Sequence, residues 1–266
     1  MADLLRLEYV GRMSLKKKKA GLREPSGIEF DAFRGGFWVV DDESPTIFNL
    51  NAAGGLRKKR CFSVGQRGFE GICGGPKKHL LYVVNENRDS ILLIDSKKKA
   101  VVAEARLRDL PGYEPDVRQE DWVPNTGLEG IAFCLRSQTL FVLNESRPGL
   151  LFRIHKNLSR VLACRRLDES GGFPAGIDYS GICYGGRGRL FWIVSDLGRR
   201  VFLYDWRKSK VLQSFPLVYR KKKSGRIRTV KQAEGVSFAW PDGDLYIVSD
   251  AETRLYHYRV LPAKDA

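Results

Sequence analysis

One phrase occurs five times along the chain and limits the fold more than any other feature. Each copy carries a glycine followed by Ile or Val, then a turn, then a run of large apolar residues closed by a polar pair. Gly27-Ile28 leads to Phe37-Trp38-Val39-Val40-Asp41-Asp42, and Glu70-Gly71-Ile72 leads to Leu81-Tyr82-Val83-Val84-Asn85-Glu86. Glu129-Gly130-Ile131 leads to Leu140-Phe141-Val142-Leu143-Asn144-Glu145. Ser180-Gly181-Ile182 leads to Phe191-Trp192-Ile193-Val194-Ser195-Asp196, and Glu234-Gly235-Val236 leads to Leu245-Tyr246-Ile247-Val248-Ser249-Asp250. The glycines are 44, 59, 51 and 54 residues apart.

Between the glycines lie short runs rich in Val, Ile, Leu, Phe, Tyr and Trp, cut by Gly, Lys, Asn and Asp turns. That is the pattern of antiparallel hairpins. No stretch sustains a 3.6-residue period, so helices are expected to be few. Each repeat divides into four strands: 26–31, 36–42, 45–51 and 56–63; then 69–74, 79–86, 90–95 and 99–107; then 129–134, 139–145, 150–155 and 158–167; then 180–185, 189–196, 200–205 and 208–217. Four-stranded units at this spacing predict the blades of an all-β propeller. The fifth repeat supplies only 234–239, 243–250 and 253–260, while residues 4–10 form a strand with no place in the first blade. Ring closure solves both problems: the N-terminal strand becomes the outer strand of the last blade and leaves no open edge. Five blades in a single domain are expected, with six as the alternative. The repeat glycine has a packing reason, because the innermost strands crowd at the axis.

The bulk numbers agree with a globular protein. Apolar residues make up 43% of 266 and aromatics 11%, enough for a sizeable core. No window approaches 18 uninterrupted apolar residues, and Met1-Ala2-Asp3-Leu4-Leu5-Arg6 has no basic region before an apolar one, so neither a membrane span nor a secretion signal is read. A leader removed ahead of Met1 would leave the same reading. Five cysteines, without a Cys-x-x-Cys pair, suit buried free thiols in a reducing cytoplasm better than disulfides or zinc. A monomer is expected.

In a propeller the first strand of each blade starts at the face where the second strand ends. At the first position the ring reads Ser26, Glu70, Glu129, Ser180, Glu234, and at the second Asp41-Asp42, Asn85-Glu86, Asn144-Glu145, Ser195-Asp196, Ser249-Asp250. One end of the channel therefore gathers up to nine carboxylates, carried by eight strands. Like charges so close demand protons or a counter-cation. Oxygen donors suit calcium or magnesium, with Glu70, Glu129 and Glu234 as ligands and Asn85, Asn144 and Asp196 beside them. Two other readings stay open: the acids tie neighbouring blades through backbone N–H groups, or they receive a cationic organic ligand. Asp42, Glu86, Glu145 and Asp250 would line such a ligand site. Tyr113 and Trp122, on an insertion at 108–126, would wall it, and Arg226 and Arg228, on a basic loop, would meet an anionic group.

The Gly127-Leu128-Glu129-Gly130-Ile131-Ala132 segment, with Leu140 to Glu145 downstream, resembles the SdiA-regulated (YjiK-like) β-propeller family. It is also similar to a phrase of the esterase-like phytases and, more distantly, to the gluconolactonase and senescence-marker propellers. The first resemblance implies a calcium-associated propeller. The last implies a metal held by an inner-strand Glu with Asn and Asp from other blades, which Glu129, Asn85, Asn144 and Asp196 match in type. A metal-dependent hydrolase of esters, lactones or phosphoesters is one possible activity. The chain has no Gly-x-Ser-x-Gly elbow or glycine-rich phosphate loop, and His79, His155 and His257 are scattered.

The net charge is +15, and the basic residues come in runs. Lys58, Lys59, Lys97, Lys98, Lys99, Arg207 and Lys208 fall on turns at the other face of the ring. That face is either a solvated surface or a nonspecific polyanion-binding one. The second possibility makes the whole molecule an interaction scaffold for a protein or polyanion.

Overall fold

The computed structural model describes residues 4–114, 127–145, 148–222, 224–239 and 243–263. Strand β1 (Leu5–Ser14) comes first. The first blade is β2 (Pro25–Phe30), β3 (Phe37–Asp41), β4 (Thr46–Leu50) and β5 (Phe62–Ser63); the second is β6 (Phe69–Gly74), β7 (Leu80–Asn85), β8 (Ser90–Asp95) and β9 (Ala100–Arg106). The third is β10 (Leu128–Cys134), β11 (Thr139–Asn144), β12 (Leu150–His155) and β13 (Val161–Arg166); the fourth is β14 (Gly181–Tyr184), β15 (Leu190–Ser195), β16 (Arg200–Asp205) and β17 (Lys210–Pro216). A hairpin of β18 (Val218–Arg220) and β19 (Ile227–Thr229) follows, then β20 (Ala233–Ala239), β21 (Asp244–Ser249) and β22 (Arg254–Pro262). The fifth sheet runs β1-β22-β21-β20, so the N-terminal strand closes the ring as the outer strand of the last blade. The molecule is a five-bladed β-propeller, and the six-bladed alternative is excluded. Among the described residues the helical segments are three-residue 3-10 turns.

The core is not central. It divides into five seams, one between each pair of adjacent blades. Trp38, Val40 and Ile47 of the first blade meet Ile72, Val83 and Leu92 of the second. Tyr82 and Val84 meet Phe133 and Val142 in the next seam, Phe141 and Leu143 meet Phe191 and Phe202 in the third, and Trp192 and Val194 meet Ile247 and Tyr256 in the fourth. Val39 and Phe48 meet Val248 and Leu255 in the last. This explains the strand patterns. Middle strands are pressed on both faces and are buried throughout, as in β11, whereas the outer strand β9 alternates half-buried and exposed positions.

Two sequence expectations need correction. Residues 56–63 do not form one strand: Leu56 makes an isolated bridge to Leu50, Lys58–Arg60 make a 3-10 turn, and Phe62–Ser63 are the strand. Asn51 sets this wide turn, its Oδ1 accepting the N–H groups of Ala53 and Gly55. The basic loop after the fourth blade is the β18–β19 hairpin. Its Tyr219 is buried against Tyr9 and Tyr256, under the Arg12 guanidinium.

The repeat glycines show why the phrase cannot vary. A Cβ on Gly27 would lie 2.5 Å from the Glu70 carbonyl, on Gly71 2.7 Å from that of Glu129, on Gly181 2.4 Å from that of Glu234, and on Gly235 2.4 Å from that of Ser26. On Gly130 it would lie 2.8 Å from the Ile182 nitrogen. Each glycine thus seats the first strand of one blade against the same phrase of the next.

Candidate functional site: the acidic end of the channel

The residue before each glycine sits on a β-bulge. In the third blade Leu128 pairs with Asn144 and Gly130 with Leu143, which leaves Glu129 without an opposite residue. The fifth blade does the same at Glu234, and the register also slips between Phe69 and Ile72 and between Pro25 and Ile28. In the fourth, Ser180 donates its N–H to Val194, the partner of Gly181. A bulge re-aims a side chain at a rim. Glu70, Glu129, Ser180 and Glu234 accordingly line the axis, around a space of only about 10 Å³. Ile28, Ile72, Ile131, Ile182 and Val236 line the same space.

The polar pairs that close the second strands divide into two roles. The first member is buried and ties a loop. Asp41 Oδ2 accepts the N–H groups of Arg23 and Glu24 at 2.7 and 2.8 Å. Asn85 donates to the Arg67 carbonyl and accepts from Arg88 N–H, and Asn144 donates to the Pro148 carbonyl. Ser195 Oγ accepts from Gly198 N–H and donates to Asp178, and Ser249 Oγ accepts from Glu252 N–H and donates to the Lys231 carbonyl. The second member, Asp42, Glu86, Glu145, Asp196 or Asp250, is half-buried.

The electrostatics of these acids are linked. Burial lifts the Glu129 carboxyl well above its ordinary value, and Glu70, Glu145, Glu86 and Glu234 add to the lift. Glu70 is raised by burial and by Asp42, with which it shares a hydrogen bond. Glu234 is pushed up to about 8 by burial and then by Asp196, Asp178, Asp250 and Glu145. Glu145 reaches about 7, through burial, Asp178 and Glu86, and Asp250 reaches about 6, through burial, Glu24, Asp41 and Asp42. Two of the acids also tie blades. Glu86 Oε1 accepts Gly127 N–H at 3.1 Å, and Asp196 Oδ1 accepts Ala233 N–H at 3.3 Å.

Two members of the cluster were missed in the sequence. Asp178 accepts hydrogen bonds from Ser180 and Ser195 and acts on Glu145, Asp196 and Glu234; Glu24 acts on Asp250. Both stand two residues before the serines that replace glutamate in the repeat, Ser180 and Ser26. Both acids lie just ahead of the first strand of their blade, which brings them to the same end of the channel as the serine. That spacing was the available signal.

The other expected site residues fall on the insertion, the basic loop and the basic turns. Tyr113 stacks on Phe152, ring centres 6.0 Å apart, in the seam between the second and third blades. Trp122 lies outside the described residues. Arg226 and Arg228 are exposed on the β18–β19 hairpin. On the opposite face, Lys97 and Lys98 donate their N–H groups to Asp95 Oδ1, and Arg207 and Lys208 do the same to Asp205 Oδ1, so the two turns share one geometry. Lys99 Nζ reaches the Lys59 carbonyl at 2.9 Å, and Lys58 sits in the same 3-10 turn as Lys59.

Among the described residues no three His, Cys, Asp or Glu side chains are gathered as a bound metal ion requires. The donors at the acidic end are of the hard-cation type, and Asp41 Oδ1 is buried without a hydrogen-bond partner beside them. The fit is therefore one of donor chemistry, not of a closed coordination shell.

These features define the class: a five-bladed β-propeller whose inner-strand bulges collect carboxylates at one end of the channel. A family model for SdiA-regulated proteins matches residues 8–259. The chain belongs to the SdiA-regulated family. A comparison with curated proteins finds no match. Among solved structures, a glutaminyl cyclase from Myxococcus xanthus is similar in fold, with a TM-score of 0.62 over 97% of each chain and 12% identity. Among the described residues no helix is long and apolar enough to cross a membrane.

Proposed function

We propose that the acidic end of the channel is a cation-binding site that serves a small-molecule ligand. One observation carries this reading: Glu70, Glu129 and Glu234 line a single space of about 10 Å³ at the axis. In keeping with that geometry, their carboxyls and those of Glu86, Glu145, Asp196 and Asp250 are lifted by burial and by repulsion from neighbouring acids, with Arg199 beside Asp196 as a weak offset. A bound cation removes that repulsion. Calcium or magnesium is the inorganic candidate, and Glu70, Glu129 and Glu234 are the side chains that would hold it. Such an ion would supply charge neutralisation and polarise an oxygen of a bound ester, lactone or phosphoester.

A protonated amine or guanidinium is the second reading. It is favoured by the open spacing of the acids, because an organic cation makes directional bonds to carboxylates that do not converge on one point.

Calorimetric titration of chelator-treated protein at pH 8 separates these. Saturable heat with calcium or magnesium, abolished in Glu129→Gln, supports the ion. Heat with alkyl amines alone supports the organic cation. Heat with neither removes the reading. An ester, lactone and phosphoester panel with added calcium then tests hydrolysis, and full activity in Glu129→Gln would exclude a catalytic role for that residue.

A further inference from the structure

The first strands change character along their length. Three residues after each repeat glycine stand Phe30, Gly74, Phe133, Tyr184 and Phe238, four aromatics and one glycine. At the glycine level the axis is closed; at this level, near the opposite face, it opens into a cavity of about 620 Å³ lined by all five. The missing fifth aromatic is part of the reason. A Cβ on Gly74 would come 3.0 Å from Glu29 Oε1, which instead accepts Gly74 N–H. Glu29 Oε2 accepts from Ser237 Oγ, so this acid has hydrogen-bond partners on both oxygens. Asp31, the second acid of the lining, accepts Phe33 N–H and pairs with Arg34.

The walls are apolar. Trp38, Leu81, Phe133, Cys73 and Cys183 are buried. Burial and the neighbouring Glu29 raise both thiols well above their ordinary value, so they stay protonated and act as small hydrophobes. The mouth is different. Phe33 and Leu135 are 71% and 61% exposed and flank it with Lys77, Lys78 and Arg136. Through Arg136 and Gly188 the cavity adjoins a second cleft of about 300 Å³, lined by Arg136, Arg189, Arg207 and Lys208 together with Asp205. The carboxylate of Asp205 is partly satisfied by the N–H groups of its own turn. An apolar chamber and a cationic cleft thus share a border, with exposed apolar side chains at the lip.

We propose that the two cavities form one binding site for an anionic amphiphile, its apolar body in the chamber and its phosphate or carboxylate in the arginine cleft. The size of the chamber and its few polar groups are those of small-molecule sites. The planar fork of donors on a guanidinium suits a planar or tetrahedral anion. This site lies at the other end of the channel from the carboxylates and does not depend on a cation there.

The test is calorimetry of the full chain with inorganic phosphate, butyl phosphate and octyl phosphate, each below its micelle-forming concentration. Affinity should rise along that series, about four-fold for each methylene that enters the chamber. Arg136→Glu should weaken all three about ten-fold or more. Gly74→Phe, which restores the missing ring, should abolish the chain-length dependence while leaving inorganic phosphate binding in place. Melting curves of both variants establish that they fold. Equal affinity for all three phosphates, or octyl phosphate binding unchanged in Gly74→Phe, would overturn the proposal. Binding to phosphatidylglycerol vesicles without binding to octyl phosphate monomers would also overturn it, in favour of a membrane-facing surface.

Discussion

The Glu234 carbonyl lies 2.4 Å from where a Cβ on Gly181 would stand. The carbonyl and the Gly181 Cα that would carry the added carbon both belong to backbone at the crowded axis, so neither can move without shifting a blade. Gly181→Ala should therefore destabilise the ring by roughly 1–3 kcal/mol, as overpacked sites do, which lowers the melting temperature by several degrees. Gly11→Ala is the control, since nothing lies within 4 Å of its Cβ and the substitution should be nearly silent. Equal melting temperatures for the two variants would remove the packing explanation of the repeat.

Ring closure gives a second prediction. Strand β1 pairs with β22 from Leu5–Pro262 to Ser14–Arg254, and its Tyr9 packs edge-on to Tyr258. Removal of residues 1–14 would bare the whole β22 edge and open the seam beneath it. An exposed edge is a template for pairing with another chain. The truncated protein should appear mainly in the insoluble fraction, and a synthetic peptide of residues 4–15 added during refolding should recover soluble material. A truncated form with the melting temperature of the full chain would show that closure is dispensable.

The sequence made the ring legible because its packing rule is local. A glycine before an apolar run marks each inner strand, and the orphan strand at 4–10 has one place to go. The carboxylates were legible for the same reason: Glu70, Glu129 and Glu234 hold one register position. What the sequence hid was register itself. The bulge that turns Glu129 inward is a relation between Leu128, Gly130 and a partner strand, and one strand read alone does not show it. The split within Asn85-Glu86, amide to the turn and acid to the half-buried rim, also depends on loops that arrive from elsewhere. The apolar chamber is not legible in the sequence, because nothing there sets Phe30, Phe133, Tyr184 and Phe238 apart from other strand aromatics, and only the converging geometry shows that Gly74 leaves them a gap.

The acidic end predicts an unusual pH profile. Glu234 and Glu145 titrate at about 8 and about 7 in the fold, against an ordinary value of 4.5. Between those limits the folded state holds more protons than the unfolded one, so stability falls as pH rises. Asp95 and Glu104 are lowered and act the other way, losing their contribution only as pH falls below the ordinary carboxylate range. In chelator, the melting temperature should be highest near pH 5 and decline steadily to pH 8.5. Glu234→Gln should flatten the decline and raise the melting temperature at pH 8 by a few degrees, about 1 kcal/mol or more. A profile that rises across this range would contradict the placement of these acids.

The same carboxylates couple protons to cations. A cation that binds the folded state raises its stability by mass action, and here it must displace the protons that Glu70, Glu129 and Glu234 hold more tightly than ordinary glutamates. Millimolar calcium should therefore raise the melting temperature at pH 8 and have little effect at pH 5. Binding at intermediate pH should release protons, visible as a heat that depends on the ionisation enthalpy of the buffer. Glu70→Gln separates the two roles of the site: it removes one repelling charge, so the protein without cation should become more stable at pH 8, while the calcium-induced rise should shrink. A variant that gains no stability without cation and keeps the full calcium response would show that Glu70 neither repels its neighbours nor receives the ion.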